Sequence, residues 1–475
     1  MLITTTGLFA VAFALRYFRI VPSYNLFIDE VTYSEIARNI AQGHGVTHYG
    51  EPFDLHPPAV LSTYGLVIRL FGLHGDLADL AFALRPVAAL FGAGTVALAF
   101  LIGRRAGLGL PPAIAAAVLI ALDPFQISYD SRVMLEAQTQ FFAALTIFLV
   151  MHLAQKESRW LVLAAGLSAG ITFCSKETFG LVLGAALIVI ALGNRVAPRR
   201  TLAAIIGLGL GTYLANLGLT IWLGGLDTWV QARGNGLTRL IGLNKETGFN
   251  SPEVKVSLLS RLTANLDQLA VTYGLLLLGG ICCLLLIHRR RSLSSEATVP
   301  VAWALTACGY LVYATLFGSI EEQMYYIPLL PCVLCLLGLL AGLRKGWWKA
   351  LIPLFLVVDA VVWTRVHTTD SNLYRQFLTW SETGIPKKSR VALTEDSAQF
   401  VLNDLSLGSW HTAEELRQNQ VDYVLINPHL VEQGYGLGDP AFLNYLESEA
   451  VPIFSATSQQ DGTLILYDVR RLDHR

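Results

Sequence analysis

The chain has 475 residues, of which 53% are hydrophobic and only 15% charged, and its mean hydropathy is +0.51. That composition excludes an ordinary water-soluble domain, and a net charge of −1 gives no basis for a nucleic-acid partner. The charges that do occur are unevenly placed, and their placement is the useful signal.

The first apolar run, at 2 to 20, ends in Arg16 and Arg19 without a small-residue cleavage site, so it reads as an uncleaved first span. Ten further runs follow near 82–103, 110–124, 138–154, 160–175, 178–194, 201–222, 268–287, 299–317, 325–342 and 347–365, giving about eleven transmembrane helices. Short basic connectors separate alternate runs: Arg104/Arg105; Lys156/Arg159; Arg195, Arg199 and Arg200; Arg289 to Arg291; Arg344, Lys345 and Lys349. The positive-inside rule makes them cytoplasmic. The segment 59–72 is short for a span, contains Arg69, and would invert the Arg104 connector if counted. It is expected to lie along the membrane surface.

The N-terminus is then cytoplasmic and the C-terminus extracytoplasmic. Residues 1–365 form the membrane domain, with long outer loops at 21–81 and 223–267. Residues 366–475 change composition, with strand-like pieces at 421-VDYVLI and 464-LILYDV and a strand-to-helix pattern from Arg390, and read as a small α/β domain. All six cysteines fall in apolar stretches, where Cys332 and Cys335 are small helix residues rather than metal or redox ligands.

The first outer loop reads 27-FIDEVTYSEIARNIAQGHGVTHYGEPFDLHPPAV. Tyr33, Ile36, Ala37 and Ile40 keep the spacing of an interfacial helix, which puts Asp29 and Glu30 at its start. Taken alone, an N-cap at Asp29 and a dipole-complementing Glu30 explain the pair as well as catalysis does. Recurrence favours a site: Glu136, Lys176, Glu177, Glu321 and Glu322 also lie at outer helix ends. A charge at the bilayer centre costs about 2.5 to 3.5 kcal/mol, so such groups pair or line a wet cavity. Lys176/Glu177 as a surface pair, and Glu321/Glu322 as the point where a helix leaves lipid, stay open alternatives.

Arg16 and Arg19, Asp29-Glu30 with Tyr33, Gly43-His44-Gly45, Gly50-Glu51-Pro52, His56-Pro57-Pro58 and Leu84-Arg85-Pro86 occur in an order that resembles the GT-C membrane glycosyltransferases. The resemblance is to glycosyltransferase family 39, with the protein O-mannosyltransferases and the lipid A aminoarabinose transferase. It implies a polyprenyl-phosphate-sugar donor and an acceptor outside the cytoplasm, of lipid, protein or polysaccharide. It also implies residence in the bacterial inner (plasma) membrane.

The family's acidic motif falls on Asp29 and Glu30, with Asp29 engaging the acceptor. Its second acidic position matches Glu136, where several relatives have Asp, and its lysine matches Lys176, a partner for lipid phosphate. Arg16 and Arg132 are further candidates for that phosphate, and Tyr33 and His56 for substrate contact. Relatives often carry Arg-Tyr before the tenth span, where this chain has 320-IEEQMYYIPLLP, so Glu321, Glu322 and Tyr325 are candidates for sugar or acceptor contacts.

Asp29, Glu30, His44, His48 and His56 share one loop but match no compact metal motif, so no obligatory metal is expected and a divalent ion stays an open alternative. A transporter or lipid flippase is the rival reading, and would place ionisable groups near the middle of several spans and use paired broken helices. A sensor reading the envelope through the C-terminal domain is the third.

Overall fold

The computed structural model describes residues 1–193, 196–240, 265–317, 323–343, 350–393, 405–432, 440–458 and 462–471, apart from isolated positions. Glu321 and Glu322, part of the second long loop and part of the strand-to-helix segment after Leu393 lie outside the described residues.

The chain begins with α1 (Leu2–Tyr17), then α2 (Ile28–Gln42), a two-strand hairpin of β1 (Thr47–His48) and β2 (Glu51–Pro52), and α3 (Ala59–Phe71). There follow α4 (Leu77–Arg105), α5 (Leu110–Leu122), α6 (Pro124–Asp130), α7 (Glu136–Leu153), α8 (Arg159–Phe173), α9 (Glu177–Gly193), α10 (Arg199–Gly224) and α11 (Leu226–Leu240). The membrane part closes with α12 (Leu266–His288), α13 (Thr298–Leu316), α14 (Gln323–Gly342) and α15 (Leu351–Thr368).

A helix occupies each of the expected apolar runs, but among the described residues six helices are long and apolar enough to cross a membrane, or up to seven counting the bent pair α5–α6. α1, α8 and α9 are shorter apolar helices of 16, 15 and 17 residues. The bend between α5 and α6 is 61°. It falls at Asp123, which ends one helix and caps the next by accepting a hydrogen bond from the Gln126 amide, the behaviour expected of a short acid before Pro.

α3 has 13 residues, about 20 Å at 1.5 Å each, which is short of the ~30 Å hydrocarbon core. It packs on α2 instead, burying Val60, Leu61, Tyr64 and Ile68 against Tyr33, Ile36 and Ala37. Gly65 permits this crossing, because a Cβ there would sit 2.9 Å from the Ile40 side chain and 3.0 Å from the Ala37 carbonyl.

After α15 come α16 (Leu373–Gly384), β3 (Arg390–Leu393), β4 (Ser406–Gly408), α17 (Ala413–Gln418), β5 (Tyr423–Ile426), α18 (Pro428–Glu432), α19 (Pro440–Glu449), β6 (Val451–Ser458) and β7 (Gly462–Asp468). The strands form one mixed sheet in the order β4-β3-β5-β7-β6. β3 runs parallel to β4 and β5, while β7 is antiparallel to β5 and β6.

This unit does not hang free of the helices. Phe377, Tyr374, Leu425 and Leu466 share a core with Leu26, Val31, Ala78 and Ala81 of the first outer loop and the start of α4. The amides of Ser371 and Asn372 donate to the Pro22 carbonyl, at 2.8 and 3.0 Å. The segment that leads into α2 is thereby braced from both sides.

Candidate active site

The two adjacent acids of α2 have different surroundings. Glu30 is fully buried and accepts from Arg85 Nε at 2.9 Å, Arg85 Nη2 at 2.7 Å and the Val133 amide at 2.9 Å. Arg85 is equally buried, and its remaining donors go to the carbonyls of Ile20 (2.8 Å), Tyr24 (3.1 Å) and Asn25 (3.2 Å). This is a bidentate, charge-assisted pair that fixes the chain entering α2, and it leaves Glu30 no oxygen facing solvent.

Asp29 is half-exposed. Consecutive helical residues are turned roughly 100° apart, because a turn holds about 3.6 of them, so burying Glu30 leaves Asp29 on an open side. The N-cap of α2 is Phe27 rather than Asp29, which removes the capping account of that residue.

Tyr33 lies one turn beyond Asp29, the i, i+4 spacing that puts two side chains on the same face. Its ring meets His56 edge-on with centroids 6.1 Å apart, and Phe53 meets the same imidazole at 6.2 Å. The turn that carries His56 is pinned to the end of α8, where the Ala59 amide donates to the Cys174 carbonyl at 2.9 Å. Two residues on, Lys176 pairs with Glu136 at 2.5 Å, so the two residues assigned by resemblance do come together. Glu136 is 1% exposed and Lys176 12%, and among the described residues Glu136 Oε2 has no hydrogen-bond partner.

A second cation enters from α11. Arg233 donates to the Glu177 carboxylate and, at 2.9 Å, to the Leu55 carbonyl, beside Asp54, which is 6% exposed. Burial raises the Asp54 carboxyl from its ordinary range, and Arg233 draws it part of the way back.

Arg233, Asp54 and the partner of Glu30 do not stand out in the sequence pattern. An arginine at the start of an apolar run, as in Leu84-Arg85-Pro86, was the available signal, since a charge there needs a countercharge. Arg233 had none, because only the fold brings α11 over the loop.

Desolvation holds the half-buried His56 imidazole well below its ordinary range, and the charges of Lys176 and Arg233 push in the same direction. The folded state then binds this proton only at lower pH than the unfolded chain, whose histidine titrates near 6.5. Stability is full above that value and falls as pH drops below it. Thermal denaturation of the His56→Gln variant is expected to lose less between about pH 7 and pH 5 than the parent does. Equal losses in the two proteins would contradict this.

Burial moves Arg16 and Tyr325 away from their expected contacts. Arg16 is fully buried, with Nε 2.8 Å from Asp130 and its other donors on the carbonyls of Ala12, Ala121 and Ile120, so it ties α1 to α5 and α6 rather than facing a lipid phosphate. Gly92 makes room for this pair, since a Cβ there would lie 2.3 Å from Asp130 Oδ2. Tyr325 is buried among aromatic rings, 6.0 Å from Phe125 and 5.5 Å from Tyr273. Arg132 is half-buried, with its guanidinium carbon 5.5 Å from the Tyr24 ring centroid and a hydrogen bond to Ser128.

Of the loop histidines, His48 pairs with Glu35 at 2.7 Å. Among the described residues no three His, Cys, Asp or Glu side chains converge as a metal site would require.

Residues 55–222 match the family model for dolichyl-phosphate-mannose-protein mannosyltransferase. Among solved structures the chain is similar to ArnT from Cupriavidus metallidurans in the apo state, at 14% identity and a TM-score of 0.56, over 100% of this chain and 98% of that one. The same protein bound to undecaprenyl phosphate gives 14% identity and a TM-score of 0.56, over 97% of each chain. An oligosaccharyltransferase from Archaeoglobus fulgidus gives 12% identity and a TM-score of 0.57, over 98% of this chain and 75% of that one. No curated protein matches. The chain has the GT-C fold, as the resemblance implied.

Proposed function

We propose that the chain is an inverting glycosyltransferase that moves one sugar from a polyprenyl-phosphate donor to an acceptor outside the cytoplasm, with Asp29 as base or acceptor-orienting group. The observation that carries this reading is the placement of Lys176, Arg233 and His56 around the turn that meets Tyr33, one helical turn from Asp29. The positive-inside rule puts this end of the helices outside, opposite Arg104 and Arg105. A solved relative bound to undecaprenyl phosphate supports the donor class.

The step would run as one displacement. The acceptor oxygen forms a bond to the anomeric carbon, the bond from that carbon to the phosphate oxygen breaks, and the electron pair leaves with the lipid phosphate. Lys176 and Arg233 offset the charge left on phosphate, while Asp29 takes the proton of a hydroxyl acceptor. Attack opposite the leaving group inverts the sugar carbon, by analogy with one-step glycosidases. An acceptor that is already ionised needs only to be oriented.

The transport alternative would need ionisable groups running through the spans. Asp359 is buried in α15, has no hydrogen-bond partner among the described residues and lies within electrostatic range of Asp123 at the α5–α6 bend. One such pair makes no path between the two faces, so that reading is not adopted.

In membranes containing the protein, a labelled polyprenyl-phosphate sugar is expected to donate and the corresponding nucleotide sugar is not. Lys176→Gln should raise KM for the lipid donor about tenfold, the effect of losing roughly 1.4 kcal/mol of phosphate binding. Transfer from the nucleotide sugar alone, or an unaltered KM in that variant, would sink the proposal.

A further inference from the structure

A groove lies apart from this site, with a volume of about 340 Å³, between the C-terminal ends of α2 and α3 and the first turn of α4; Arg38, Gln42, Arg69, His74 and Leu80 are among the residues that line it. Arg38 is nine residues past Asp29 on the same helix, roughly 13 Å along its axis at 1.5 Å per residue. Arg69 stands in the last turn of α3, at the opposite end of that helix from the His56 turn.

The side chain of neither arginine has an ion pair or hydrogen bond among the described residues, in contrast to those of Arg16, Arg85 and Arg233. Two unpaired guanidiniums beside one concavity favour an anion, and their fork geometry suits phosphate oxygens.

The depth of the groove indicates which anion. Leu80 is 25 residues before Arg105 on α4, about 38 Å along the helix. With Arg105 at one membrane surface, that distance passes the ~30 Å hydrocarbon core and ends in the headgroup layer, which brings the bilayer to about 40 to 45 Å. The final turns of α3 also expose Leu66, Leu70 and Phe71, at 54%, 69% and 74%, beside Arg69. An apolar face next to a cationic groove at headgroup depth is the pattern of an interfacial helix on anionic lipid.

We infer that this groove holds the phosphate of an anionic membrane lipid, with Arg38 and Arg69 on its oxygens and the acyl chains along Leu66, Leu70 and Phe71. His74 at the rim supplies a further donor. The lipid is bound outside the reaction centre, so this occupancy stands or falls independently of the transfer reaction.

Native mass spectrometry of the detergent-solubilised full chain, titrated with dioleoyl phosphatidylglycerol or dioleoyl phosphatidylcholine, tests it. The parent is expected to retain phosphatidylglycerol preferentially, and Arg38→Gln/Arg69→Gln to bind it about tenfold more weakly, a difference of about 1.4 kcal/mol. Arg38→Lys/Arg69→Lys should restore most of the binding, which separates loss of charge from loss of fold. Equal retention of the two lipids by the parent, or of phosphatidylglycerol by parent and Gln variant, overturns the assignment. So does displacement of the lipid by millimolar inorganic phosphate, since the apolar rim would then contribute nothing.

Discussion

Asp29→Asn is expected to lower the rate of sugar transfer to a hydroxyl acceptor by about 10²- to 10⁴-fold, the usual contribution of a positioned general base. KM for the lipid donor should change little, because the cations proposed to hold the phosphate, Arg233 on α11 and Lys176 just past α8, are anchored by Glu177 and Glu136. Nor should the melting temperature move much, since Asp29 is half-exposed and is not the N-cap of α2. A loss confined to kcat is the signature of an interaction made only in the transition state. Full activity would remove Asp29 from the mechanism, whereas a large fall in melting temperature would make the residue structural.

The comparison with Glu30 shows what the sequence could and could not convey. Hydropathy and arginine placement were enough to locate the helices and to mark 59–72 as too short to span, and the spacing of Tyr33, Ile36 and Ala37 gave the buried face of α2. They could not separate two neighbouring acids, because the difference lies in Arg85, fifty-five residues away in the chain and 2.7 Å away in space. Arg16 and Tyr325 were misread for the same reason: each sits near an outer helix end, yet Asp130 and the aromatic rings that enclose them come from other helices. Lys176 and Glu136 were legible as charges recurring at outer helix ends and through the family resemblance, and α11 was not legible at all, since what matters there is where a loop helix lies rather than what it contains. The C-terminal sheet was read as a separate domain. Its contact with Leu26 and Val31 depends on side chains whose spacing within their own segments gives no sign of it.

Replacing Arg85 with Leu should cost about 3 to 5 kcal/mol of stability, the range for removing one partner of a buried ion pair. The stranded Glu30 carboxylate would keep only the Val133 amide, while the carbonyls of Ile20, Tyr24 and Asn25 would lose their donor. Changing both residues, as Glu30→Leu/Arg85→Leu, removes the uncompensated charge and should recover part of the loss. Full recovery is not expected, although buried pairs elsewhere are often replaced by apolar groups at no cost, because each orphaned buried carbonyl still carries a penalty of about 1 to 3 kcal/mol. Melting curves in one detergent would therefore rank the parent highest, the double variant next and Arg85→Leu lowest. A single variant as stable as the parent would show that the pair does not hold the entry to α2. The same loss should reach catalysis indirectly, because Arg85 fixes the carbonyls just before α2 and those would set the direction from which Asp29, in the proposed reaction, meets an acceptor. At a temperature where the double variant is fully folded, its kcat should still lie below that of the parent.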